Sequence, residues 1–591
     1  MTRMGPDTNE SPIEEVAERM RAVWRPVALV LSGVAVVLLV WAAALGLWAR
    51  LVAARPVADG AWYLDRLHRW GDRLPDGMAI AVGVVAVLLI AAMAFSYWRG
   101  RTGRLQPGLP AGVAALTALL FFAYFSQGIP AFYRLMMQSF PVTASVPAGV
   151  AAWGLSFAGA AATLLGAAAF PQLTRGGMRL VGVGAAIAVV AATVVTVGAL
   201  RAGDDGRYVD ATTAAATEAP PTPTAVGQRA FTVSVPDGIA GDPPRPQVAV
   251  VAAGPGFVVF KDNRVTAYGV DGKERWHYAR TGPGEVAVNA MRVFDHGATV
   301  VLSVNDALIG VDATTGEQLW SSADSRMVYA LSQEPGYNLV VPYLVYRDAQ
   351  SWVRYDTRSG TPMWTVPAPY VQCDIPPRAV DTRSWLVTVF RCESDGGVDI
   401  RVTAHDPANG ETRWDTVVSH GGPGLDAVAT PANARGVFMQ FGGDQSPHGV
   451  SYVNVVDKSV TALPPRGDAQ PSIGPGDDFA FSGWDDARQL VLFGPDGKER
   501  CTVTGDVLGV QTQVPGQGNG LAYVPFEGSF VVADRDRLGA AGSLRTFDSA
   551  TCAQTAAVPA AAVVGLVPVP GAVLVLRRDD RTLQIDGYTA G

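Results

Sequence analysis

Cys373, Cys392, Cys501 and Cys552 are the side chains with the most distinctive chemistry in this 591-residue chain. Such thiols can ligate a metal, act as nucleophiles or pair as disulfides. An even number, all in the C-terminal part, suits disulfides in an oxidising compartment. There is no C-x-x-C, and the six histidines show no ligand spacing, which argues against a thiol metal site. The chain also has no G-x-S-x-G, H-E-x-x-H or G-x-x-x-x-G-K-[ST]. Asp534-Arg-Asp536 opens like a calcium loop, but arginines separate its acids and no glutamate closes it. No catalytic, cofactor-binding or metal-binding residue is therefore expected, and no catalysis.

The elements that position these cysteines are set by a recurring phrase. Residues 264–276 read RVTAYGVDGKERW, 306–320 DALIGVDATTGEQLW, 352–364 WVRYDTRSGTPMW and 400–414 IRVTAHDPANGETRW. Each is an alternating strand, an aspartate, a tight glycine-containing turn and a strand opening on tryptophan. The positions are Asp271 and Trp276; Asp312, Gly316 and Trp320; Asp356 and Trp364; and Asp406, Gly410 and Trp414. Weaker copies place Asp457, Asp496, Asp548 and Asp586 in the same role. A period of about 45 residues built of strands indicates radial repetition in a β-propeller. The aspartate is expected to accept N–H bonds in its own turn. Each tryptophan is expected to staple neighbouring blades, its indole N–H reaching a carbonyl.

Strand counting gives eight blades, with seven as the alternative because the Asp457 copy is the weakest. The last blade has three strands of its own, and Phe231-Thr-Val-Ser-Val-Pro236 is expected to supply its fourth, hiding both sheet edges. Cys501 falls in the tryptophan place of its repeat and Cys552 in the glycine place of the next, so they are expected to bridge adjacent blades. Cys373 and Cys392 flank a hairpin and form the other expected pair. The stretches 417–432 and 463–478, rich in Gly and Pro, read as irregular.

Asp312-Ala-Thr-Thr-Gly316-Glu-Gln-Leu-Trp320 and, save one threonine, Asp406-Pro-Ala-Asn-Gly410-Glu-Thr-Arg-Trp414 resemble the pyrroloquinoline-quinone (PQQ) repeat, D-x-x-T-G-x-x-x-W. The resemblance spans residues 230–591 and implies a propeller. The family includes calcium- and PQQ-dependent dehydrogenases as well as cofactor-free propellers, among them a lipoprotein scaffold of outer-membrane protein assembly.

Residues 1–25 are polar. Apolar stretches follow at 26–49, 77–98, 109–126, 147–170 and 180–200, free of Asp, Glu, Lys, Arg and His. Each approximates the length needed to span a bilayer. The first is too long for a cleaved signal peptide and is followed by four more. The fold class is thus a membrane α-helical bundle of five transmembrane helices, residues 26–200, followed by an all-β eight-bladed propeller, residues 230–591. Nine arginines fall on the cytoplasmic side if the N-terminus is inside, against six outside, in keeping with the positive-inside rule. That orientation makes the propeller extracytoplasmic. Residues 60–74 have apolar side chains at helical spacing and read as a helix in the lipid interface. Residues 201–229, rich in Ala, Thr and Pro, read as a semi-extended tether.

The net charge of −7 divides into a basic front and an acidic remainder, which argues against nucleic acid as a partner. The 42 arginines against four lysines reflect high-GC, actinobacterial-type base composition rather than function. The spans lack the buried charges of an ion-coupled transporter. The expected function is a membrane-anchored platform for an envelope protein, with lipid as its other partner and no cofactor. The alternative is a membrane quinoprotein dehydrogenase. About 45 residues per blade leave no room for the insertions that build a quinone site in those enzymes.

Overall fold

The computed structural model describes the chain except residues 1–11, 54–73, 103–107, 140, 168–174, 222, 224, 237–247, 283, 285, 306, 323, 334–340, 349, 370–372, 374–377, 383, 443–448, 464–469, 474–478, 483–488, 495, 505–522, 527, 534–541, 561–562, 580–581 and 590–591. The expected interface helix at 60–74, save its last residue, and the calcium-like turn at Asp534 and Asp536 lie outside the described residues. Two compact units emerge: Met1–Tyr208 with Gly282–Val286, and Val209–Thr281 with Ala287–Gly591.

The first unit is helical: α1 (Pro12–Leu51), α2 (Leu74–Arg101), α3 (Leu109–Ser126), α4 (Ile129–Ser139), α5 (Ser145–Gly166) and α6 (Arg175–Ala202). Five contain segments long and apolar enough to cross a membrane: Val23–Leu51, Met78–Arg101, Leu109–Ser126, Ser145–Gly166 and Gly177–Ala202. Small residues let α1 and α6 cross closely. A Cβ on Gly33 would meet the Val181 carbonyl oxygen at 2.1 Å, and one on Gly184 the Val30 carbonyl oxygen at 2.0 Å. Trp41 Nε1 donates to Thr196 Oγ1 across the same pair, 2.9 Å. The short helix α4 was not foreseen. It buries Phe132 and Met136, one turn apart, against Val146.

Among the described residues the second unit contains eight sheets, all antiparallel in the pairings described. The first has strands 249–253, 256–261, 264–268 and 274–280, each paired with the next in chain order. The pattern recurs in the second, fourth, fifth, sixth and seventh sheets. In the eighth, Gln228–Pro236 pairs with Thr582–Thr589, which joins Ala572–Asp579 and Val563–Val569. Apolar clusters join successive sheets: second with third, third with fourth, fourth with fifth, fifth with sixth, sixth with seventh and seventh with eighth. The eighth and first share Phe257, Val250, Leu574 and Ile585.

Three expectations change. Among the described residues the third sheet has three strands, and helix α7 (Ser325–Gln333) packs Met327, Ala330 and Leu331 beside it in the core shared with the second. The stretch 417–432 is largely regular, ending one strand at Gly421 and forming another at Asp426–Pro431. Residues 201–229 are not a bare tether, since α6 continues to Ala202 and Val209–Thr212 is a fifth strand of the first sheet. That short run needs no apolar alternation because edge backbone groups hold it.

Candidate functional site

The repeat turns organise most of the repeat aspartates. Asp312 Oδ1 accepts the N–H groups of Thr314 and Thr315, 2.9 and 3.0 Å. Asp356 does the same for Arg358 and Ser359, Asp406 for Ala408, and Asp548 for Ala550 and Thr551. Asp271, in a shorter turn, accepts from Lys273. The Ala408 N–H, then the Arg413 guanidinium, hold the Asp406 carboxyl below its usual range. These carboxylates are committed to their turns and are poor candidates for metal ligands or bases.

Four of these turns, those of Asp271, Asp312, Asp356 and Asp406, receive an aromatic ring from the sheet before them. Gly316 and Gly360 have φ of 77° and 69°. A Cβ there would come within 2.7 Å of the Trp276 ring and 2.6 Å of the Trp320 ring. Glycine thus serves both the left-handed backbone and the ring. Gly410 lies against Trp364 likewise. The indole N–H of Trp276 donates to Ala313 O at 2.9 Å, that of Trp320 to Thr357 O at 2.8 Å, and that of Trp364 to Pro407 O at 3.0 Å. Phe231 of the closing strand lies against Gly272 in the same fashion. Trp414 is half-buried in the core of the fourth and fifth sheets.

Two repeat assignments need correction. In the fifth repeat Asn454, not Asp457, caps the turn, accepting the N–H groups of Val456 and Asp457 at 3.1 and 2.9 Å. Lys458, at φ 54°, takes the glycine place. Asp457 instead pairs with Arg435 at 2.7 Å. Asp586 lies within the strand Thr582–Thr589 rather than in a turn. Fully buried, it accepts from Thr232 Oγ1 at 2.6 Å and from Arg577 Nε at 2.5 Å. It therefore helps hold the closing strand.

The cysteines form two disulfides, Cys373–Cys392 and Cys501–Cys552, with Cα atoms 4.2 and 5.8 Å apart. The second joins the sixth and seventh sheets, where Cys501 replaces the tryptophan and Cys552, at φ 53°, the glycine.

Two polar groupings have residue types that suggest chemistry. Ser394, Asp399 and His420 meet at one end of the fourth sheet, but Asp399 sits between the other two, 3.3 Å from Ser394 Oγ and 2.7 Å from His420 Nδ1. A hydrolytic triad needs histidine in the middle. The second grouping is buried between the third and fourth sheets. Arg347 Nη2 donates to both Asp381 oxygens, 2.8 and 2.9 Å, and its guanidinium lies 5.5 Å from the Trp352 ring centroid. Trp352 in turn meets His405 edge-on at 4.9 Å. The His405 nitrogens face the hydroxyls of Thr403 and Thr412 at 2.8 and 3.1 Å. Sequence reasoning missed this grouping, whose members lie outside the repeated phrase or point away from its turn.

Burial, then the positive Arg347, lower the His405 pKa to about 4. An unfolded histidine titrates near 6.5, so the unfolded chain binds the extra proton between these values. Stability therefore rises with pH across that window. The contribution, roughly 3 kcal/mol, is present above pH 6.5 and lost as pH falls towards 4. His405→Gln is expected to flatten this limb in denaturant midpoints taken from pH 4 to 7. An unchanged slope would contradict the assignment.

A quinone held over calcium would need converging oxygen ligands. Among the described residues no group of three His, Cys, Asp or Glu could hold a metal ion, and the repeat aspartates are used by their own turns.

The sequence matches the family model described as outer membrane protein assembly factor BamB over residues 172–320 and 261–446. No curated protein matches the chain. Solved structures with similarity include the WD40 domain of SCAP from fission yeast, at 8% identity and TM-score 0.35, over 60% of this chain and 94% of that one. Another is the β-propeller domain of the Trilobed protease from Pyrococcus furiosus, at 8% identity and TM-score 0.29, over 60% and 97%. A eukaryotic initiation factor gives 10% identity and TM-score 0.38, over 63% and 90%. These distant likenesses have no bearing on chemistry. With a matching family model, successive antiparallel sheets and a Trp-to-Gly contact linking turn to turn, the strand-rich unit is a β-propeller of the PQQ-repeat type.

Proposed function

We propose that the five apolar helices anchor this chain in a membrane, N-terminus inside, and that its eight-bladed propeller is an extracytoplasmic, non-catalytic platform for another envelope protein. The observation that carries this reading is the commitment of the chemically capable side chains to structure. Repeat aspartates bind their own turns, His405 lies between two hydroxyls, and four cysteines form two disulfides. Disulfides favour an oxidising compartment, and the arginine bias favours the same orientation. The family described as an assembly factor is consistent with a binding role.

A reporter active only outside the membrane is expected to work when fused after Gly591 and to be silent after Arg104. Cross-linking in intact cells, then purification from detergent-solubilised membrane, is expected to recover one envelope protein in stoichiometric amount. Saturable dye-linked oxidation of sugars or alcohols after loading with PQQ and calcium, lost on calcium removal, would replace the platform reading with an enzymatic one.

A further inference from the structure

Residues 209–221 lie along the propeller. Val209–Thr212 pairs antiparallel with His277–Arg280, becoming the outermost strand of the first sheet. Asp210 lies 3.5 Å from Arg264 and 3.3 Å from His277, and Thr212 Oγ1 accepts the His277 N–H at 3.1 Å. Beyond the strand, the Ala214 N–H donates to Thr315 O of the second sheet's turn at 2.8 Å. Arg275 Nη2 donates to Ala215 O and Thr217 Oγ1 at 2.8 and 3.0 Å. The Gly571 N–H, from a turn of the eighth sheet, donates to Pro221 O at 3.0 Å. One segment thus touches three sheets.

It does so almost without apolar anchorage. Val209 is half-buried, while Asp210, Ala211 and Thr212 are exposed. Asp210 and Arg264 are 54% and 39% exposed, so solvent screens their attraction. Each backbone bond adds little net stability, because it replaces a bond to water. Segments held by exposed hydrogen bonds with little apolar burial open at low free energy. Beneath this one lies a regular strand edge, Glu274–Arg280, with Arg264 and His277 beside it. Such an edge accepts extended peptides by strand addition.

We propose that residues 209–221 form a releasable strap. The edge of Glu274–Arg280 is a strand-addition site that the strap occupies in cis. Its alternative occupant is an extended partner segment of small residues with one carboxylate placed, like Asp210, to meet Arg264 and His277. This deepens the platform reading, but its test needs no partner, so a failed recovery from membranes leaves it standing.

The test uses the full-length protein in detergent micelles. Hydrogen exchange at residues 210–214 is expected to be at least about tenfold faster than at 300–304. Thr212→Pro, which removes the Oγ1 acceptor of the His277 N–H and the N–H of residue 212, paired with His277, is expected to expose 274–280 and leave 572–576 unchanged. A photo-cross-linkable synthetic peptide copying residues 207–218 should then label 274–280 in that variant, roughly tenfold more than in the unmodified protein. An Asp210→Ala peptide should label it less. Strap amides as protected as 300–304 would overturn the proposal, as would an intact, open variant that fails to take up the peptide. If Thr212→Pro also loosens 572–576, Arg275→Ala replaces it, removing two strap bonds without touching a strand pairing. Strap exchange that does not rise in that variant would overturn the proposal.

Discussion

Asp381→Ala is expected to destabilise the propeller by about 3–5 kcal/mol, because it leaves the Arg347 charge buried without its partner. The Arg347 and Asp381 side chains are only 6% and 13% exposed. Asp381 Oδ1 also accepts the Val387 N–H at 3.1 Å, so its loss frees a backbone donor in the first hairpin of the fourth sheet. The measurement is a denaturant or thermal midpoint of the whole protein in detergent, with near-ultraviolet circular dichroism reporting on Trp352. The double variant Arg347→Leu/Asp381→Leu should recover most of the loss, since well-packed apolar side chains replace buried ion pairs at little cost. A loss of under about 1 kcal/mol in the single variant would place the pair in solvent-screened surroundings.

Trp276→Ala is expected to cost a similar amount, about 3–5 kcal/mol, the range for emptying a large buried aromatic site. Trp276 is fully buried between the first and second sheets, with Gly316 against its ring and Ala313 O receiving its N–H. Trp276→Phe separates the two contributions. It keeps most of the apolar contact and leaves one carbonyl short of a donor, so about 1–3 kcal/mol should be lost. Scanning calorimetry of the three proteins gives the comparison. Equal losses for phenylalanine and alanine would assign the staple to its hydrogen bond rather than to packing.

The repeats were legible because aspartate, glycine and tryptophan each have a physical task at a fixed place in a turn, and the period exposes all three together. The disulfide partners were legible for the same reason, since Cys501 and Cys552 stand where Trp and Gly stand elsewhere. Register failed where another residue took over a task, as Asn454 does for aspartate and Lys458 for glycine. Helix α7 was hidden because nine residues with apolar positions at 327, 330 and 331 give a weak signal among strands. The strap was hidden because backbone groups hold its four-residue strand, leaving no apolar pattern to read. The polar grouping around Arg347 depends on contacts between sheets, where residues such as Arg347 and His405 are 58 positions apart in the chain.

Completion of the eighth sheet sets the folding timetable. Thr232 and Asp586, which bond across its closing pair, are separated by 354 positions in the chain. The strand Gln228–Pro236 emerges during synthesis before every other strand of its sheet and must wait, unpaired, until Thr582–Thr589 arrives. Contacts so distant in the chain form late and slowly, and an unpaired strand invites aggregation in the meantime. The vulnerable period for a nascent molecule thus lasts as long as synthesis of nearly the whole propeller. A ribosome that stalls before residue 582 leaves a chain with two open sheet edges, and a chaperone that shields Gln228–Pro236 would protect it.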